Sequence, residues 1–247
     1  MGRRGLRGAL LRTETPTRRA AAQRRAARRA APEPAPQPRR RSSDKRIGIL
    51  GGTFDPPHIG HLWLATLAAD SLDLGHVLLM PAARPPHKGR AAISNAADRV
   101  TMTRLAISGD ARLDLSLVEM ERPGPSYTVD SLEELRSDLG PRVGLVLIMA
   151  ADSFAQIESW REPDRLLELA EWAVGPRPGS PMPERGALRE RFGAKAARIH
   201  LLEGPSLDLS SSEIRLRVAA GRPIRYLVPR AVEELIDARG LYRRRRP

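Results

Sequence analysis

The sequence has no cysteine among its 247 residues, and this absence removes several classes of chemistry. Without thiols the chain cannot form a disulfide framework, a thiolate zinc site or an iron–sulfur cluster, and it has no cysteine nucleophile. It also lacks any apolar run near the roughly 18–20 residues that a membrane-spanning helix needs. The sequence therefore predicts a protein without a membrane span. Its chain is long enough to bury a substantial core.

Acidic residues are scarce at both ends of the chain. Residues 1–44 hold thirteen arginines and three acidic residues, and Arg243 to Arg246 are four consecutive arginines. These two ends account for the formal net charge of +13, so the residues between them are close to neutral. Because a nucleic-acid-binding core would itself be basic, the charge pattern does not predict one.

The first 44 residues consist mainly of arginine, alanine and proline and contain no aromatic residue. Such a composition buries too little apolar surface to offset its ordering entropy, which predicts a disordered basic tail. Three roles stay open for it: a solvated extension, a basic arm that contacts nucleic acid or anionic surfaces, and an organelle-type presequence. No apolar segment of sufficient length follows the early arginines, so a secretory signal is not indicated.

From residue 45 onward, short apolar segments alternate with segments of helical pattern. This alternation predicts an α/β fold with a Rossmann-like, doubly wound parallel sheet and a small C-terminal helical portion. We expect one domain over residues 45–242, followed by a short basic tail at 243–247. The predicted strands are Arg46–Leu50, Val77–Pro81, Arg112–Ser116, Val143–Ala150, Glu171–Gly175 and Arg198–Glu203. The predicted helices are His58–Ala69, Asn95–Ser108, Val129–Leu139, Asp164–Ala170, Ser211–Ala220 and Arg230–Ala238.

The most informative segment, GGTFDPPHIGH at residues 51–61, follows the first strand and opens the first helix. The carboxyl ends of parallel strands border the ligand-binding crevice of such a sheet. Gly51 and Gly52 let backbone N–H groups approach a phosphate, and the N-terminus of the helix adds partial positive charge. Since His58 and His61 are three residues apart, they share one helix face and can converge on one anion. The segment therefore predicts a phosphate-binding site.

Neither of the two common glycine-rich phosphate motifs, GxxxxGK[ST] and GxGxxG, occurs in the sequence. Instead, the tetrapeptide from His58 to His61 resembles the HxGH signature of the α/β nucleotidylyltransferase superfamily. The segment LSSSEIR, which ends at Arg215, resembles the second signature of that superfamily, ISSxxIR; alone it would indicate only a helix cap. The resemblance implies an enzyme that joins a nucleoside triphosphate to a phosphate-bearing acceptor and expels pyrophosphate.

Segments between and beyond these signatures narrow the resemblance to the bacterial nicotinate-nucleotide adenylyltransferases. They are PPHK at 85–88, RPGPSYTVDSL at 122–132, ADSF at 151–154, WR at 160–161, RPG at 177–179 and YLVP at 226–229. The resemblance covers the chain from about Arg46 to Tyr242. Ala150 departs from it, because the family commonly has glycine there, and residues 1–44 have no counterpart in the family pattern.

The resemblance implies a site in which ATP and nicotinate mononucleotide meet, with Mg²⁺ carried in by ATP and no dedicated metal site. It implies catalytic roles for His58, His61, Lys88 and Arg215. ATP would contact Gly51, Gly52, Thr53, Phe54, Ser211, Ser212 and Arg215. The mononucleotide would contact Asp55, His87, Lys88, Thr128, Asp152, Trp160, Arg161 and Arg177, with the Trp160 ring stacked on the pyridine.

The acceptor phosphate is already an anion, so the predicted mechanism is in-line positioning with charge stabilisation and needs no enzyme nucleophile. The family resemblance implies a cytoplasmic enzyme, and the sequence is compatible with a homo-oligomer. Two other functions stay open. One is a related HxGH transferase that acts on nicotinamide mononucleotide or phosphopantetheine, and the other is a nucleic-acid-binding protein that acts through its basic tail.

Overall fold

The computed structural model describes residues 46–85 and 93–243 of the chain. The predictions for residues 1–44, for His87 and Lys88, and for the last four residues of the chain lie outside the described residues. Among the residues that are described, no helix is both long enough and apolar enough to cross a membrane.

Six parallel strands form a single sheet, and each lies at a position that the apolar pattern predicts. They are β1 (Arg46–Gly52), β2 (His76–Pro81), β3 (Leu113–Leu115), β4 (Gly144–Ala150), β5 (Glu171–Gly175) and β6 (Ile199–Leu201). Their spatial order is β3-β2-β1-β4-β5-β6, which makes β1 and β4 neighbours, with Ile47 opposite Leu145. The strand order reverses between these two central strands, and ligands bind at such switch points.

Helices cover both faces of the sheet, so the predicted doubly wound fold is confirmed. The helices are α1 (Ile59–Leu72), α2 (Ala96–Ile107), α3 (Val118–Glu121), α4 (Thr128–Leu139), α5 (Ala151–Phe154), α6 (Pro163–Leu169), α7 (Arg185–Phe192), α8 (Ser211–Ala219) and α9 (Arg230–Arg239). Successive side chains of β4 alternate between two buried clusters: Leu147 packs with residues of α4, α6 and α7, whereas Ile148 packs with residues of α1 and α2. This period of two is what a strand buried on both faces requires.

The predicted C-terminal helical portion is present, and the structure gives it an apolar cluster of its own. Ile214 of α8 and Val232 and Ile236 of α9 are fully buried in it together with Met102 of α2. Helix α9 packs directly against α2, and the hydrogen bond from Tyr242 to Asp55 places the residues after α9 beside the loop that follows β1.

Three helices were not predicted, and their sequences explain why. Helices α3 and α5 have four residues each, which is about one turn and too short to display a helical period. Helix α7 is longer but mostly exposed, and it buries only Leu188 and Phe192 against the sheet. Two apolar residues among charged ones give too weak a signal to distinguish a helix from a loop.

Arg99 of α2 joins the ends of two strands through a buried guanidinium group. Its side chain is 1% exposed, and it donates hydrogen bonds to the carbonyl oxygens of Thr53 (3.0 Å), Ala82 (2.6 Å) and Ser94 (3.2 Å). Because burial disfavours the charged form, the pKa of Arg99 is lowered from its usual value. The carbonyl oxygens offset this cost and hold the loops after β1 and β2 together.

We expect Arg99→Leu to lower the free energy of unfolding by about 3–5 kcal/mol, because it leaves several buried carbonyl oxygens without a donor. Arg104→Leu is the matched control, since Arg104 lies on the same helix and is exposed. We expect it to change stability by no more than about 0.5 kcal/mol. Urea unfolding of both variants measures the difference, and equal effects would show that Arg99 has no special role.

Candidate active site

A cleft of about 500 Å³ opens at the carboxyl ends of the central strands β1 and β4. Its walls come from these strands, from the start of α1, from the segment before α4, from the loops after β4 and β5, and from the start of α8. The cleft brings together twelve of the predicted site residues: Gly51, Gly52, Thr53, His58, His61, Thr128, Asp152, Trp160, Arg161, Arg177, Ser211 and Ser212.

Two stacked histidines stand at the start of α1. His58 is the N-cap residue, and its backbone N–H donates to Nδ1 of His61 at 3.1 Å. The two rings are 3.7 Å apart between centroids, with an angle of 30° between their planes. Because Nδ1 of His61 accepts a hydrogen bond, the neutral ring carries its hydrogen on Nε2. The backbone thus selects the His61 tautomer with an N–H at Nε2.

His58 is almost completely buried although it borders the cleft. Its side chain is 5% exposed, and Nδ1 has no hydrogen-bond partner within the described part of the chain. Burial and, to a lesser degree, the positive charge of Arg177 lower its pKa to about 4. His58 is therefore neutral at pH 7. A buried polar atom without a partner costs free energy.

Gly60 leaves little room beside the His58 ring. A Cβ atom at this position would lie 3.0 Å from Nδ1 and 3.1 Å from Cε1 of His58. Such contacts are tighter than most real Cβ contacts, so an alanine here would push the His58 ring aside by a few tenths of an ångström.

Phe54 lies under the glycine loop and does not face the cleft. Its side chain is 1% exposed, and its ring meets the ring of His61 edge-on at 5.0 Å between centroids. A Cβ atom on Gly52 would lie 3.0 Å from the same ring, so the loop backbone rests directly on it. The Phe54 side chain therefore supports His61, and the predicted contact of Phe54 with ATP does not involve this buried ring.

Asp55 is predicted to contact the mononucleotide, but its side chain lies outside the cleft in this structure, and the contact stays a prediction. The Asp55 side chain is 2% exposed and is absent from the lining of the cleft. Its Oδ1 accepts from the Tyr242 hydroxyl at 2.6 Å, and its Oδ2 accepts from the backbone N–H of Ser94 at 3.1 Å. The carboxylate points into the protein, where it joins three distant parts of the chain.

Two serine hydroxyl groups at the start of α8 make different hydrogen bonds. Ser210 is the N-cap residue, and its Oγ accepts from the backbone N–H of Glu213 at 3.1 Å. The hydroxyl of Ser211 donates to the carbonyl oxygen of Pro56 at 2.8 Å. The start of α8 is thereby attached to the loop that leads to the histidines, and this start lines the cleft.

Arg215 also contacts the histidine loop. Its guanidinium donates to the carbonyl oxygen of Asp55 at 2.7 Å and to Oγ of Ser212 at 3.0 Å. Arg215 is not among the residues that line the cleft, and its predicted phosphate contact stays a prediction. What the structure shows is a cation that holds α8 against the loop.

Arg177 supplies the positive charge in the middle of the cleft. Its Nη1 donates to the carbonyl oxygen of Leu209 at 2.8 Å, and its Nε lies 3.6 Å from Oδ2 of Asp152. Asp152 in turn accepts from the backbone N–H of Ser153 at 2.8 Å. The pair connects the ends of β4 and β5 with the segment before α8. Arg177 therefore lies between the serine segment predicted to contact ATP and Asp152, which is predicted to contact the mononucleotide.

The far end of the cleft combines aromatic side chains with a second cation. The guanidinium of Arg161 lies over the Tyr127 ring at 4.9 Å from its centroid and pairs with Asp130 at 3.4 Å. Trp160 and Thr128, the first residue of α4, line the same cleft. A planar apolar surface next to N–H donors suits an aromatic ring that carries an anionic group.

Sequence reasoning missed Glu119, a buried carboxyl group that borders the cleft. Its side chain is 5% exposed, burial raises its pKa, and its Oε1 accepts from the Ser131 hydroxyl at 2.8 Å. Trp63 and Leu64 of α1 were also missed. The signal for Glu119 was an acidic residue among apolar ones in the segment from Leu117 to Met120.

No group of three or more histidine, aspartate or glutamate side chains in residues 46–85 and 93–243 could hold a metal ion. The described donors are imidazoles, hydroxyls, backbone N–H groups and the guanidinium of Arg177. This set suits a polyanion such as a triphosphate better than a resident metal.

Comparisons with known proteins agree with this geometry. The sequence model of the cytidylyltransferase-like family matches residues 49–217. Proteins named "Probable nicotinate-nucleotide adenylyltransferase" are 46% identical in Roseiflexus sp. (81% of this chain, 100% of the relative) and 42% identical in Moorella thermoacetica (81% and 93%). The solved structure of Plasmodium falciparum nicotinic acid mononucleotide adenylyltransferase complexed with NaAD has a TM-score of 0.67 at 20% identity. It covers 80% of this chain and 97% of its own, and shows the same fold.

We expect His58 to titrate near pH 4 in the folded protein, against 6.5 for an ordinary histidine. The reason is that its ring is buried and faces the charge of Arg177. Between these two pH values His58 binds a proton in the unfolded chain but not in the folded chain. The contribution of His58 therefore lowers the free energy of unfolding as the pH falls through this range. An NMR titration of the histidine Cε1–H signals measures the value, and a midpoint near 6.5 would contradict it.

Proposed function

We propose a specific reaction for this chain, which belongs to the cytidylyltransferase-like family and, within it, to the nicotinate-nucleotide adenylyltransferases. The chain transfers the adenylyl group of ATP to nicotinate mononucleotide, and the products are nicotinate adenine dinucleotide and pyrophosphate. The observation that carries this assignment is the HxGH histidine pair at the sheet's switch point, in a chain that matches these relatives over four fifths of its length.

In the reaction, a 5′-phosphate oxygen of the mononucleotide attacks the α-phosphorus of ATP. A new P–O bond forms as the bond between the α-phosphorus and the bridging oxygen to the β-phosphate breaks, and pyrophosphate leaves. The attacking oxygen is already anionic, so the site needs no general base and no enzyme nucleophile. Its task is to align the two phosphates in line and to stabilise the charge that develops on their oxygens.

We assign the phosphate contacts to the start of α1. His61 would donate from Nε2 to an oxygen of the transferred phosphoryl group, because its Nδ1 is already engaged by the backbone. His58, neutral and lacking a partner at Nδ1, would gain a proton or a hydrogen bond when the triphosphate arrives. Gly51 and Gly52 would offer backbone N–H groups, and the N-terminus of α1 would add its partial positive charge.

We assign the acceptor to the other end of the cleft. Trp160 would stack on the pyridine ring, and Asp152 would contact the ribose of the mononucleotide. Stacking binds the acid and the amide of the ring about equally. Discrimination would therefore come from N–H donors near Thr128 and Arg161, which accept a carboxylate and leave the NH₂ of an amide facing another donor.

Magnesium would enter as part of the ATP substrate. The described residues offer no cluster of metal ligands, so phosphate oxygens and water would hold most of its coordination shell. The chain's own contribution would be cations that bind the same phosphates. Arg177 and Arg161 are described cations that line the cleft, and the role of Lys88 stays a prediction.

The acceptor assignment is tested by pyrophosphate release from purified protein with ATP and Mg²⁺. We expect nicotinate mononucleotide to support turnover and nicotinamide mononucleotide to support far less, at least about tenfold in kcat/KM, because the carboxylate meets N–H donors. Phosphopantetheine should support none. Activity only with phosphopantetheine or only with nicotinamide mononucleotide would support the transferase chemistry but show that the proposed acceptor is wrong. Activity with none of the three would overturn the function.

The phosphate assignment is tested with Gly60→Ala and a matched glycine elsewhere. The new Cβ would displace the His58 ring, so we expect kcat to fall by about tenfold or more, since small misplacements at a reacting centre are costly. Gly109→Ala is the control, because a Cβ there meets no atom within 4 Å and Gly109 is exposed. Steady-state kinetics and thermal unfolding of both proteins separate activity from folding.

His61→Ala addresses the chemistry directly. We expect turnover to be lost while the unfolding temperature stays within a few degrees of the parent, because His61 is partly exposed in the cleft. The measurement is pyrophosphate release at saturating substrate. Near-normal turnover of this variant would remove His61 from the mechanism.

A further inference from the structure

The loop that leads into the histidines is held by the C-terminal helical portion. Residues 55–59 have four hydrogen bonds to partners beyond residue 210, each between segments more than 150 residues apart. They are Tyr242 Oη to Asp55 Oδ1 (2.6 Å), Arg215 Nη1 to the Asp55 carbonyl (2.7 Å), Ser211 Oγ to the Pro56 carbonyl (2.8 Å) and the Ile59 N–H to the Leu227 carbonyl (3.0 Å).

The Tyr242 contact differs from the other three because it serves a buried charge. The Asp55 side chain is 2% exposed, so its carboxylate cannot obtain donors from water and depends on the protein for them. Tyr242 supplies a short O–H donor, the Ser94 backbone supplies a second donor at 3.1 Å, and the nearest atom of the Arg215 guanidinium is 4.0 Å away. A short hydrogen bond to an ionised oxygen is among the stronger ones in proteins.

The chain adopts an unfavourable backbone conformation to make this contact. After α9 ends at Arg239, Tyr242 has a φ of 64°, in the left-handed region that side chains larger than glycine seldom occupy. Its hydroxyl also lies 3.7 Å from Sδ of Met102. Burial and the neighbouring Asp55 carboxylate raise the pKa of Tyr242, so it keeps the proton that it donates.

We propose that Tyr242 is a positioning residue for adenylyl transfer: its hydroxyl holds the Asp55 carboxylate, and thereby sets the place of His58 and His61 in the cleft. Only two prolines separate Asp55 from His58, so a displacement of the carboxylate passes directly to the histidine that begins α1. Tyr242 lies outside the lining of the cleft. The expected loss of turnover rests on the proposed function, whereas the expected effect of Tyr242 on the place of the histidines does not.

Tyr242→Phe tests the proposal because it removes one hydroxyl and keeps the ring. We expect kcat to fall by about tenfold while the KM values for both substrates change by less than about threefold, as for a misplaced catalytic group. Tyr226→Phe is the matched control. Tyr226 lies in the same C-terminal portion, is 81% exposed and also has a positive φ, so this variant should behave like the parent.

A second measurement does not depend on turnover. If the loop loosens without the hydroxyl, water reaches the His58 ring, and its pKa rises from about 4 towards 6.5 in the folded variant. Arg177, whose charge lowers the pKa of His58, and His61, whose ring stacks on the His58 ring, are both unchanged in this variant. A residue that only stabilised the fold would lower the unfolding temperature without moving the titration of His58.

The outcomes separate the two proposals. A lower kcat with a raised His58 titration in Tyr242→Phe, and neither change in Tyr226→Phe, would support the positioning role. Parent-like kcat and titration in Tyr242→Phe would overturn it. If the parent protein itself shows no turnover with nicotinate mononucleotide, the proposed function fails, and the His58 titration alone then decides the positioning role.

Discussion

The buried carboxylate of Asp55 is the constraint around which the rest of the site is arranged. A charge removed from water needs donors from the protein, and at Asp55 these come from the backbone of Ser94 and from the Tyr242 hydroxyl. The same loop receives Arg215 and Ser211 at its carbonyl oxygens. One short segment after β1 is therefore attached to the start of α2 and to the C-terminal portion. This attachment explains how a loop at the open edge of a sheet can hold a defined shape.

The electrostatics of the cleft follow from what this loop carries. His58 stays neutral because burial and Arg177 both disfavour its protonated form. The cleft also holds the guanidinium groups of Arg177 and Arg161, which pair with Asp152 and Asp130. In this state the arrangement favours a ligand with several negative charges. The chemistry of adenylyl transfer demands little more, because both reactants bring the groups that react and the protein has only to align them.

Much of the fold could be predicted, because the six strands are apolar segments at regular intervals. The loop that carries His58 and His61 could also be predicted, because few other functions place so many glycines and histidines together. Spacing alone does not tell which way a side chain points. Asp55 and Phe54 lie within the predicted motif, yet both point into the core. Tyr242 was missed as a site residue because its contact with Asp55 spans 187 positions, and no local pattern encodes it.

Direct transfer between two aligned phosphates fixes the stereochemistry at the α-phosphorus of ATP, and determining that stereochemistry is the most direct test of the mechanism. The measurement uses an ATP analogue with a chiral α-phosphorothioate and determines the configuration of the dinucleotide product. Direct in-line attack by the mononucleotide predicts inversion. Retention would reveal two successive displacements, and hence a covalent adenylyl group on an enzyme residue such as His61, which would contradict a site that acts by positioning alone.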